Sequence, residues 1–380
     1  MNRMYIPQTF HQQIDDLLNR IAERLQLDDT RRASAERSYN AVSEWIEADE
    51  GFFNKVPFDI YPQGSYRIGT SVKPLQGDEF DLDIVVHMTL PYDNLNPIEV
   101  LNQLERRLRE HGQYKTRLKR KNRCIRIVYA NLFHIDILPG FQESAMDGNR
   151  IVVPDRSLKA WTPSNPKGYS DWFKSKYVKQ DLLLLEKALN AEDLPEQIPY
   201  HLMQPIQRAV QLIKRYRDIY FKDDPNSATS SIILTTIAGM FYTGQRSEYE
   251  AIKGIMNLAY DNLTLLNGKI LHVVNPANPS EIFSDKWVHE PHLYEAFIRF
   301  ITDFKRLWDK VESTRGVHNL IEIFKEMFGE STSTNSLIEQ ADYIQKARNS
   351  NHLATSKQSG LLTGVSVAST AVRKNNFYGD

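Results

Sequence analysis

The chain has 380 residues, enough for two structural units with separate hydrophobic cores, and its 41% hydrophobic content is typical of a soluble globular protein. The 47 Lys and Arg residues nearly balance the 48 Asp and Glu residues, so no overall positive field draws the protein to nucleic acid or to an anionic membrane. The single cysteine, Cys124, excludes an internal disulfide framework and argues against a cysteine-based zinc module.

The N-terminal region is predicted to form two amphipathic helices. Apolar residues recur at steps of three and four over residues 8–27 and again over residues 30–47. The region lacks the apolar core of a signal peptide, and no stretch of the chain approaches the roughly 20 apolar residues that cross a bilayer. We therefore expect a cytoplasmic protein without a membrane partner.

Beyond these helices the sequence changes to strand and turn signals. β-branched and aromatic residues predict strands, and Asn96 followed by Pro97 predicts the start of one further helix. The predicted strands cover residues 58–61, 80–88, 123–129 and 132–138, the last two as a hairpin. The first part of the chain is therefore predicted to be a mixed α and β unit.

The second part of the chain is predicted to be helical. Helical periodicity begins at Pro205 and returns in residues 232–242 and 293–311. After about Asn351 the sequence is rich in Ser, Thr and Gly without a sustained period, which predicts a mobile tail. The predicted fold class is α+β in two lobes with a cleft between them. The predicted boundaries are 1–160 for the mixed-sheet lobe with its N-terminal helices, 161–350 for the helical lobe and 351–380 for the tail.

Two carboxylates lie on one face of the predicted strand 80–88. Side chains alternate along a strand, so Asp81 and Asp83 point the same way while Leu82 and Ile84 point into the core. One interpretation is that the pair belongs to the solvent face of a half-exposed edge strand. The other is a metal site, because crowded carboxylates on an apolar strand need a compensating cation, and oxygen ligands suit Mg²⁺ or Mn²⁺.

A third carboxylate, Asp136, favours the metal site. It lies between Ile135 and Ile137 on a predicted strand that can run beside the first one. Three acids can surround two metal ions about 3.5–4 Å apart, an arrangement that suits in-line displacement at a phosphate. In this hypothesis Asp81 and Asp83 bind both ions, and Asp136 completes the site nearer the attacking hydroxyl. The sequence thus predicts a nucleotidyltransferase centre with two Mg²⁺ ions, for which Mn²⁺ can substitute.

A Gly-Ser turn precedes the acidic strand. Gly64 and Ser65 follow a predicted strand, and glycine lets the backbone approach a ligand closely, while a serine hydroxyl and amides at a helix start can hold phosphate oxygens. The alternative is a plain strand-to-helix turn with a serine cap. Its position ahead of the acidic pair favours the phosphate-binding interpretation.

Taken in order, Gly64-Ser65, Asp81-Leu-Asp83 and His134-Ile-Asp136 resemble the signature of the DNA-polymerase-β-like nucleotidyltransferase superfamily. Within it, the stretch QGSYRIGTSVKPLQGDEFDLDIVV is most similar to the bacterial CD-NTases, the cGAS/DncV-like nucleotidyltransferases that make cyclic oligonucleotide signals in anti-phage defence. The resemblance implies that a basic residue and a serine of the helical lobe hold the triphosphate. The best matches are Lys214 and Ser231, with Ser230 as a competitor for the serine.

The resemblance also implies an activity. The chain would join NTPs into a cyclic di- or trinucleotide and release pyrophosphate, with ATP as the first candidate substrate and GTP as the second. Two alternatives stay open, namely a linear oligonucleotide synthase or RNA-tailing enzyme, and a non-catalytic nucleotide-binding scaffold.

Three further features bear on partners. The zinc-binding insert of the animal DNA sensor in this superfamily has no counterpart here, since the sequence lacks clustered Cys and His ligands. The basic run 115–126 is either a solvated loop and strand edge or a contact to nucleic acid or product phosphates. The tail 351–380 is a candidate docking segment for a protein partner.

Overall fold

The computed structural model describes residues 9–75, 79–129, 133–144, 146–178, 200–357, 362–365 and 369–372. The helices are α1 Phe10–Arg24, α2 Asp29–Glu47, α3 Gly64–Arg67, α4 Pro97–Glu110, α5 Pro166–Lys174, α6 Pro205–Tyr220, α7 Ser231–Phe241, α8 Glu248–Leu266, α9 Lys286–His289, α10 Pro291–Ser313, α11 Val317–Phe328 and α12 Glu330–Asn349. The strands are β1 Phe58–Gln63, β2 Phe80–Met88, β3 Leu118–Arg120, β4 Ile125–Tyr129, β5 Phe133–Ser144, β6 Asp147–Asp155, β7 Ala160–Ser164, β8 Val274–Asn275, β9 Asn278–Ile282, β10 Leu353–Ser356, β11 Leu362–Gly364 and β12 Ser369–Ala371.

Capping side chains fix where the N-terminal helices begin. Thr9 and Gln12 form a reciprocal capping box at the start of α1, and Asp28 accepts a hydrogen bond of 2.9 Å from the backbone of Arg31 at the start of α2. Asn96 caps α4 in the same way, one residue before Pro97. The helices predicted from the N-terminal periodicity and from the Asn-Pro pair are therefore confirmed.

Strands β1 to β7 form one mixed sheet. The order β1-β2-β5-β4-β3 runs across it, and β6 continues from β5 to β7. The central pair β2 and β5 is parallel, whereas β4 and β5 pair antiparallel as the predicted hairpin. One face of this sheet packs on α2 and α4, and its core includes Tyr39, Val42, Leu82, Ile84, Leu101, Leu104, Ile135 and Ile137. The opposite face of β2 and β5 carries the aspartates.

The helical lobe has a separate core built around α6 and α10. Tyr216 contacts Phe300 and Phe304, and Phe304 contacts Trp308, so an aromatic column runs through its centre. Helix α1 packs in this core, whereas the sequence analysis grouped it with the sheet. Periodicity shows that a helix has an apolar face but not which neighbour covers that face.

Part of the stretch predicted to be a mobile tail has regular structure. Strand β10 pairs antiparallel with both β11 and β12, and Leu353 packs on Ala347 of α12. Of the predicted docking segment 351–380, residues 358–361, 366–368 and 373–380 lie outside the described residues. Across the part of the chain that is described, no helix combines the length and the apolar character that a membrane crossing requires.

A buried carboxylate joins the sheet to the helical lobe. Glu281 of β9 accepts hydrogen bonds of 2.9 Å from the Ser164 hydroxyl, 3.0 Å from the Asn165 backbone and 2.6 Å from the Asn275 amide. Burial raises the pKa of Glu281 above its usual range, and the three donors oppose that rise. The carboxylate fixes the chain where β7 leads into α5.

Removing this carboxylate should loosen the junction. In Glu281→Ala, the polar groups of Ser164, Asn165 and Asn275 lose their acceptor, so we expect a loss of about 1–3 kcal/mol in the free energy of unfolding, measured by urea denaturation. The matched control is Glu295→Ala on α10, whose exposed ion pair with Arg299 should contribute within about 0.5 kcal/mol. Equal effects of the two substitutions would contradict the proposed role of Glu281.

Candidate functional site

The three predicted carboxylates come together on one face of two neighbouring strands. Asp81 and Asp83 alternate with the fully buried Leu82 and Ile84 on β2. Strand β5 pairs with β2 in a register that sets Asp83 directly beside Asp136. Two adjacent parallel strands thus hold three acidic side chains on one side of the sheet.

The Gly-Ser turn lies against the deepest of these acids. Strand β1 pairs with β2 so that Gln63 is opposite Asp83, and Gly64 follows with a φ of +65°. A Cβ at Gly64 would lie 2.5 Å from an Oδ of Asp83, which is closer than a Cβ comes to a non-bonded oxygen in folded proteins. Glycine is required at this position both for the backbone conformation and for the approach of the carboxylate.

An arginine lies between the acids. The guanidinium of Arg126 donates two hydrogen bonds of 2.7 Å to Asp136 and pairs with Asp81 at 3.1 Å. Arg126 is directly opposite Asp136 in the β4–β5 pairing. Within the described residues, no three Asp, Glu, His or Cys side chains are arranged so that they could hold one metal ion. Asp136 is instead committed to Arg126.

The charge of the cluster is incompletely compensated at Asp83. Burial, together with the charges of Asp81 and Asp136, raises the pKa of Asp83 to about 7. Arg126 and Lys214 act in the opposite direction but do not cancel the effect. A further cation near Asp83 would therefore favour its ionised form.

A polar stripe on α6 fastens the loop that follows the Gly-Ser turn. The stripe consists of Gln207, Gln211, Lys214 and Arg215, four buried side chains on one helical face. Each donates to a backbone carbonyl of the loop, with distances of 2.9 Å to Ile68, 2.8 Å to Ser71 and 3.1 Å to Thr70, and a fourth contact to Lys73. The helical lobe thereby sets the position of the Gly-Ser turn of the sheet lobe.

A second glycine, Gly69, makes room for the contact of Gln207 with the loop. Gly69 has a φ of +67°, and a Cβ there would lie 2.7 Å from the amide nitrogen of Gln207. The sequence analysis did not select Gly69 or Gln207. The RIGTS stretch contains the glycine, but its partner is 138 positions away along the chain.

Lys214 and Ser231 both reach the cleft, in different surroundings. The Lys214 ammonium donates to the carbonyl of Thr70 at 3.1 Å and to its hydroxyl at 3.2 Å. Burial, reinforced by the charge of Arg217, lowers the pKa of Lys214 to about 7. Ser231 is the first residue of α7, and its hydroxyl accepts a hydrogen bond of 2.7 Å from Arg217. Ser230 is the N-cap residue and makes no side-chain cap.

These groups line a cleft of about 360 Å³ between the lobes. Its polar walls come from both lobes and comprise Ser65, Ser71, Glu79, Asp81, His134, Lys214, Arg217, Asp218 and Ser231. The hydroxyls of Ser65 and Ser71 lie 3.1 Å apart, and His134 contacts Glu79 at 2.8 Å. The cleft is a concave site lined by carboxylates, hydroxyls and cationic side chains.

Three arginines of the basic run 115–126 form ion pairs within the fold. Arg120 pairs with Glu105 at 3.1 Å, Arg123 pairs with Asp155 at 2.9 Å, and Arg126 pairs with two of the aspartates. The sequence analysis missed Arg126 and Arg217 as members of the site. The sequence does contain a signal for Arg126, because strand alternation puts it on the face opposite Ile125 and Ile127. Asp136 lies on that same face of the neighbouring strand.

Comparison with known proteins places this site in context. Residues 12–176 match the family described as the Second Messenger Oligonucleotide or Dinucleotide Synthetase domain. The chain is 37% identical over 383 residues to a c-di-GMP synthase of Roseivirga ehrenbergii, with 99% of this chain and all of that protein covered. It is also 28% identical over 300 residues to the cyclic dinucleotide synthase CdnG of Bradyrhizobium diazoefficiens, with 73% of this chain and 71% of that protein covered.

Solved structures share the fold. The CD-NTase CdnG of Bradyrhizobium diazoefficiens in complex with GTP superposes with a TM-score of 0.70 at 25% identity, covering 86% of this chain and 99% of that one. CdnC of Escherichia coli with ATP gives a TM-score of 0.61 at 15% identity, covering 84% of this chain and 98% of that one, a likeness of fold alone.

The glycine at the turn gives a stringent test of the site. In Gly64→Ala the new methyl group collides with Asp83 and the residue must keep a positive φ, so we expect a stability loss of about 1–3 kcal/mol and loss of activity with NTPs. The matched control is Gly112→Ala, where a Cβ meets nothing within 4 Å. Thermal melting and product assays compare the two variants. An active, equally stable Gly64→Ala protein would refute this geometry.

The raised pKa of Asp83 predicts a pH-dependent difference in stability. The folded protein binds a proton at Asp83 more tightly than the unfolded chain, so the contribution of Asp83 to stability falls as the pH rises from the ordinary pKa of 3.8 to about 7. Asp83→Asn removes this titration. We therefore expect the free energy of unfolding of Asp83→Asn, relative to that of wild type, to increase over this pH range and to stay constant above it. Both proteins are measured in EDTA. Parallel pH profiles would contradict the burial of Asp83.

Proposed function

This chain belongs to the CD-NTase family of nucleotidyltransferases, and we propose that it makes a cyclic dinucleotide from GTP. The observation that carries the proposal is one cleft in which Asp81 and Ser65 of the sheet lobe face Arg217 and Ser231 of the helical lobe. An acidic centre then lies within reach of groups suited to a triphosphate, as nucleotidyl transfer requires. The full-length likeness to a c-di-GMP synthase supports a cyclic product.

The relatives change the expected substrate. The sequence analysis put ATP first and GTP second, whereas the relative that is 37% identical carries the name c-di-GMP synthase and the solved CdnG complex contains GTP. We therefore propose two molecules of GTP as the substrates, with ATP as the alternative. For the same reason we propose a product ring of two nucleotides and not of three.

The residues present fit a divalent metal in their chemistry. Three carboxylates lie on one side of two paired strands, and a bound cation would favour the ionised form of Asp83. We propose that Asp81, Asp83 and Asp136 hold two Mg²⁺ ions, with Mn²⁺ as a substitute. Asp136 can act as a ligand only if its ion pair with Arg126 opens. When bound, the ions would supply positive charge for the attacking hydroxyl and for the departing pyrophosphate.

The chain's own residues account for binding and orientation. Gly64 lets the backbone of the turn approach the triphosphate, and the Ser65 hydroxyl donates to its oxygens. A ribose hydroxyl of one GTP attacks the α-phosphorus of the other and loses its proton to solvent, and the new P–O bond replaces the bond to pyrophosphate, which leaves with the electron pair. A second transfer of the same kind closes the ring and releases a second pyrophosphate. Asp81, Asp83 and Asp136 would lie on the side of the cleft from which this hydroxyl approaches.

Other interpretations remain distinguishable. A linear oligonucleotide synthase or RNA-tailing enzyme would use the same centre without ring closure, whereas a non-catalytic scaffold does not accord with membership in this enzyme family. We also propose that the protein acts in the cytoplasm and in anti-phage defence, on the basis of the family resemblance. The proposed chemistry does not depend on either.

Product analysis tests the proposal. Purified protein is incubated with Mg²⁺ and GTP, with ATP, or with both, and the products are treated with phosphatase and identified by mass spectrometry. We expect a phosphatase-resistant product containing two guanylate units. Phosphatase-sensitive chains alone would establish linear synthesis, and a product containing only adenylate would overturn GTP as the substrate.

The acidic centre is tested in the same assay. Asp81→Asn and Asp83→Asn should each lower product formation by about a hundredfold or more, because either substitution removes charge from the centre. The control is Asp93→Asn, an exposed aspartate outside the cleft, which should retain activity. Unchanged synthesis by the two variants would place the reaction elsewhere.

A further inference from the structure

The first transfer of the proposed reaction brings two triphosphates to one cleft. The donor GTP loses pyrophosphate, and the Gly-Ser turn is the proposed place for its phosphates. The acceptor GTP presents a ribose hydroxyl at the acids and keeps its own triphosphate. Because Asp81, Asp83 and Asp136 repel that second polyanion, the acceptor phosphates need cations elsewhere on the same side of the sheet.

Two lysines at the edge of the sheet are on the same face as the acids. Lys119 of β3 is directly opposite Arg126 of β4, and Arg126 is directly opposite Asp136 of β5. Residues that are opposite each other in neighbouring strands share one face of the sheet, so Lys119 lies on the aspartate face. At a strand spacing of about 4.8 Å, β3 is about 10 Å from β5. Lys121 follows two positions later, where strand alternation returns to that face.

These two lysines are not engaged within the fold. Lys119 and Lys121 are exposed, and neither ammonium has an ion-pair partner among the described residues. Three arginines of the same basic run each pair with a carboxylate, namely Arg120, Arg123 and Arg126. The basic run therefore contains two kinds of cation, and the two lysines are the kind that is open to a ligand.

The electrostatics of the centre show that one of these lysines is close to the acids. Burial raises the pKa of Asp81, and the charges of Arg126 and Lys121 are among those that oppose this rise. Lys121 is thus near enough to act on Asp81 without pairing with it. A nucleotide whose ribose is at the acids can therefore extend its phosphates toward Lys121 and Lys119.

We propose that Lys119 and Lys121 bind the triphosphate of the acceptor nucleotide during the first transfer. The inference rests on the proposed function, since it assigns a site to the second of its two substrates. In ring closure the attacking hydroxyl belongs to the other nucleotide, whose phosphate is already part of the new diester. The remaining triphosphate is then the one that is cleaved. The two lysines therefore act on the first transfer and not on the second.

A competition between two acceptors tests the inference. The protein is incubated with Mg²⁺, GTP and an excess of GMP, which can accept a guanylate but carries no triphosphate. GTP as the acceptor leads to the cyclic product, whereas GMP as the acceptor gives linear pGpG, which has no pyrophosphate to lose and cannot close. Both products use the same donor, so a defect in donor binding lowers both of them. The ratio of cyclic product to pGpG therefore reports on the triphosphate of the acceptor.

Charge removal at the two lysines should change this ratio. The double variant Lys119→Gln with Lys121→Gln should lower it by about tenfold, because two charged contacts to phosphate are lost. Lys119→Arg with Lys121→Arg keeps the charge and should keep the ratio. The control is Lys55→Gln with Lys346→Gln, which removes the same charge from two exposed lysines elsewhere and should leave the ratio unchanged. Added salt should lower the wild-type ratio, since exposed charges are screened.

A second measurement isolates ring closure. Linear pppGpG supplied as the substrate should close at the wild-type rate in the Gln double variant, because its acceptor end carries no triphosphate. Slowed closure, or an unchanged product ratio in that variant, would overturn the inference. If an RNA or DNA duplex stimulates wild type and not the variant, while the product ratio stays at the wild-type value, the lysines contact nucleic acid and the inference is wrong.

The outcomes separate this inference from the proposed function. If wild type uses ATP in place of GTP, GTP fails as the substrate, and AMP as the competing acceptor gives the corresponding ratio. If wild type stops at linear pppGpG, ring closure fails, and the ratio of pppGpG to pGpG tests the two lysines. A wild-type protein that makes neither product contradicts both proposals.

Discussion

The concentration of negative charge on β2 and β5 is the constraint on which the rest of the site depends. The in-register pairing of Asp83 with Asp136, and the position of Asp81 on the same face, bring three carboxylates together on a sheet with an apolar core behind it. The fold provides one guanidinium, that of Arg126, which serves Asp81 and Asp136 and leaves Asp83 with a raised pKa. A further cation near Asp83 would favour its ionised form, and this incomplete compensation is the basis of the proposed metal site.

The second constraint is the fastening of one lobe to the other. Helix α6 belongs to the helical lobe, yet its polar stripe donates to the loop that carries the Gly-Ser turn of the sheet lobe. Buried polar groups of this kind are stable only when their partners are in place, so the stripe requires the loop conformation and the loop requires Gly69. The Gly-Ser turn and the cleft wall at Arg217 are therefore held by the same helix.

Much of the site could be predicted from local patterns, because its acids lie on strands whose period is two. Alternation alone put Asp81 and Asp83 on the face opposite Leu82, whereas Ser231 was selected through the family resemblance. The partners could not be predicted, since the contact of Arg126 depends on the strand register and the contact of Lys214 with Thr70 depends on how the lobes pack. The packing of α1 could not be predicted for the same reason, because the helices that cover its apolar face lie far away in sequence.

We propose that the three aspartates are the cation-binding centre of the enzyme. The most direct measurement is the anomalous diffraction of a crystal grown with Mn²⁺ and a non-hydrolysable GTP analogue. We expect Mn²⁺ within about 2.2 Å of carboxylate oxygens of Asp81 and Asp83, with Arg126 separated from Asp136. Mn²⁺ bound away from these residues, or a cleft that holds the nucleotide while Arg126 keeps its pair with Asp136, would contradict it.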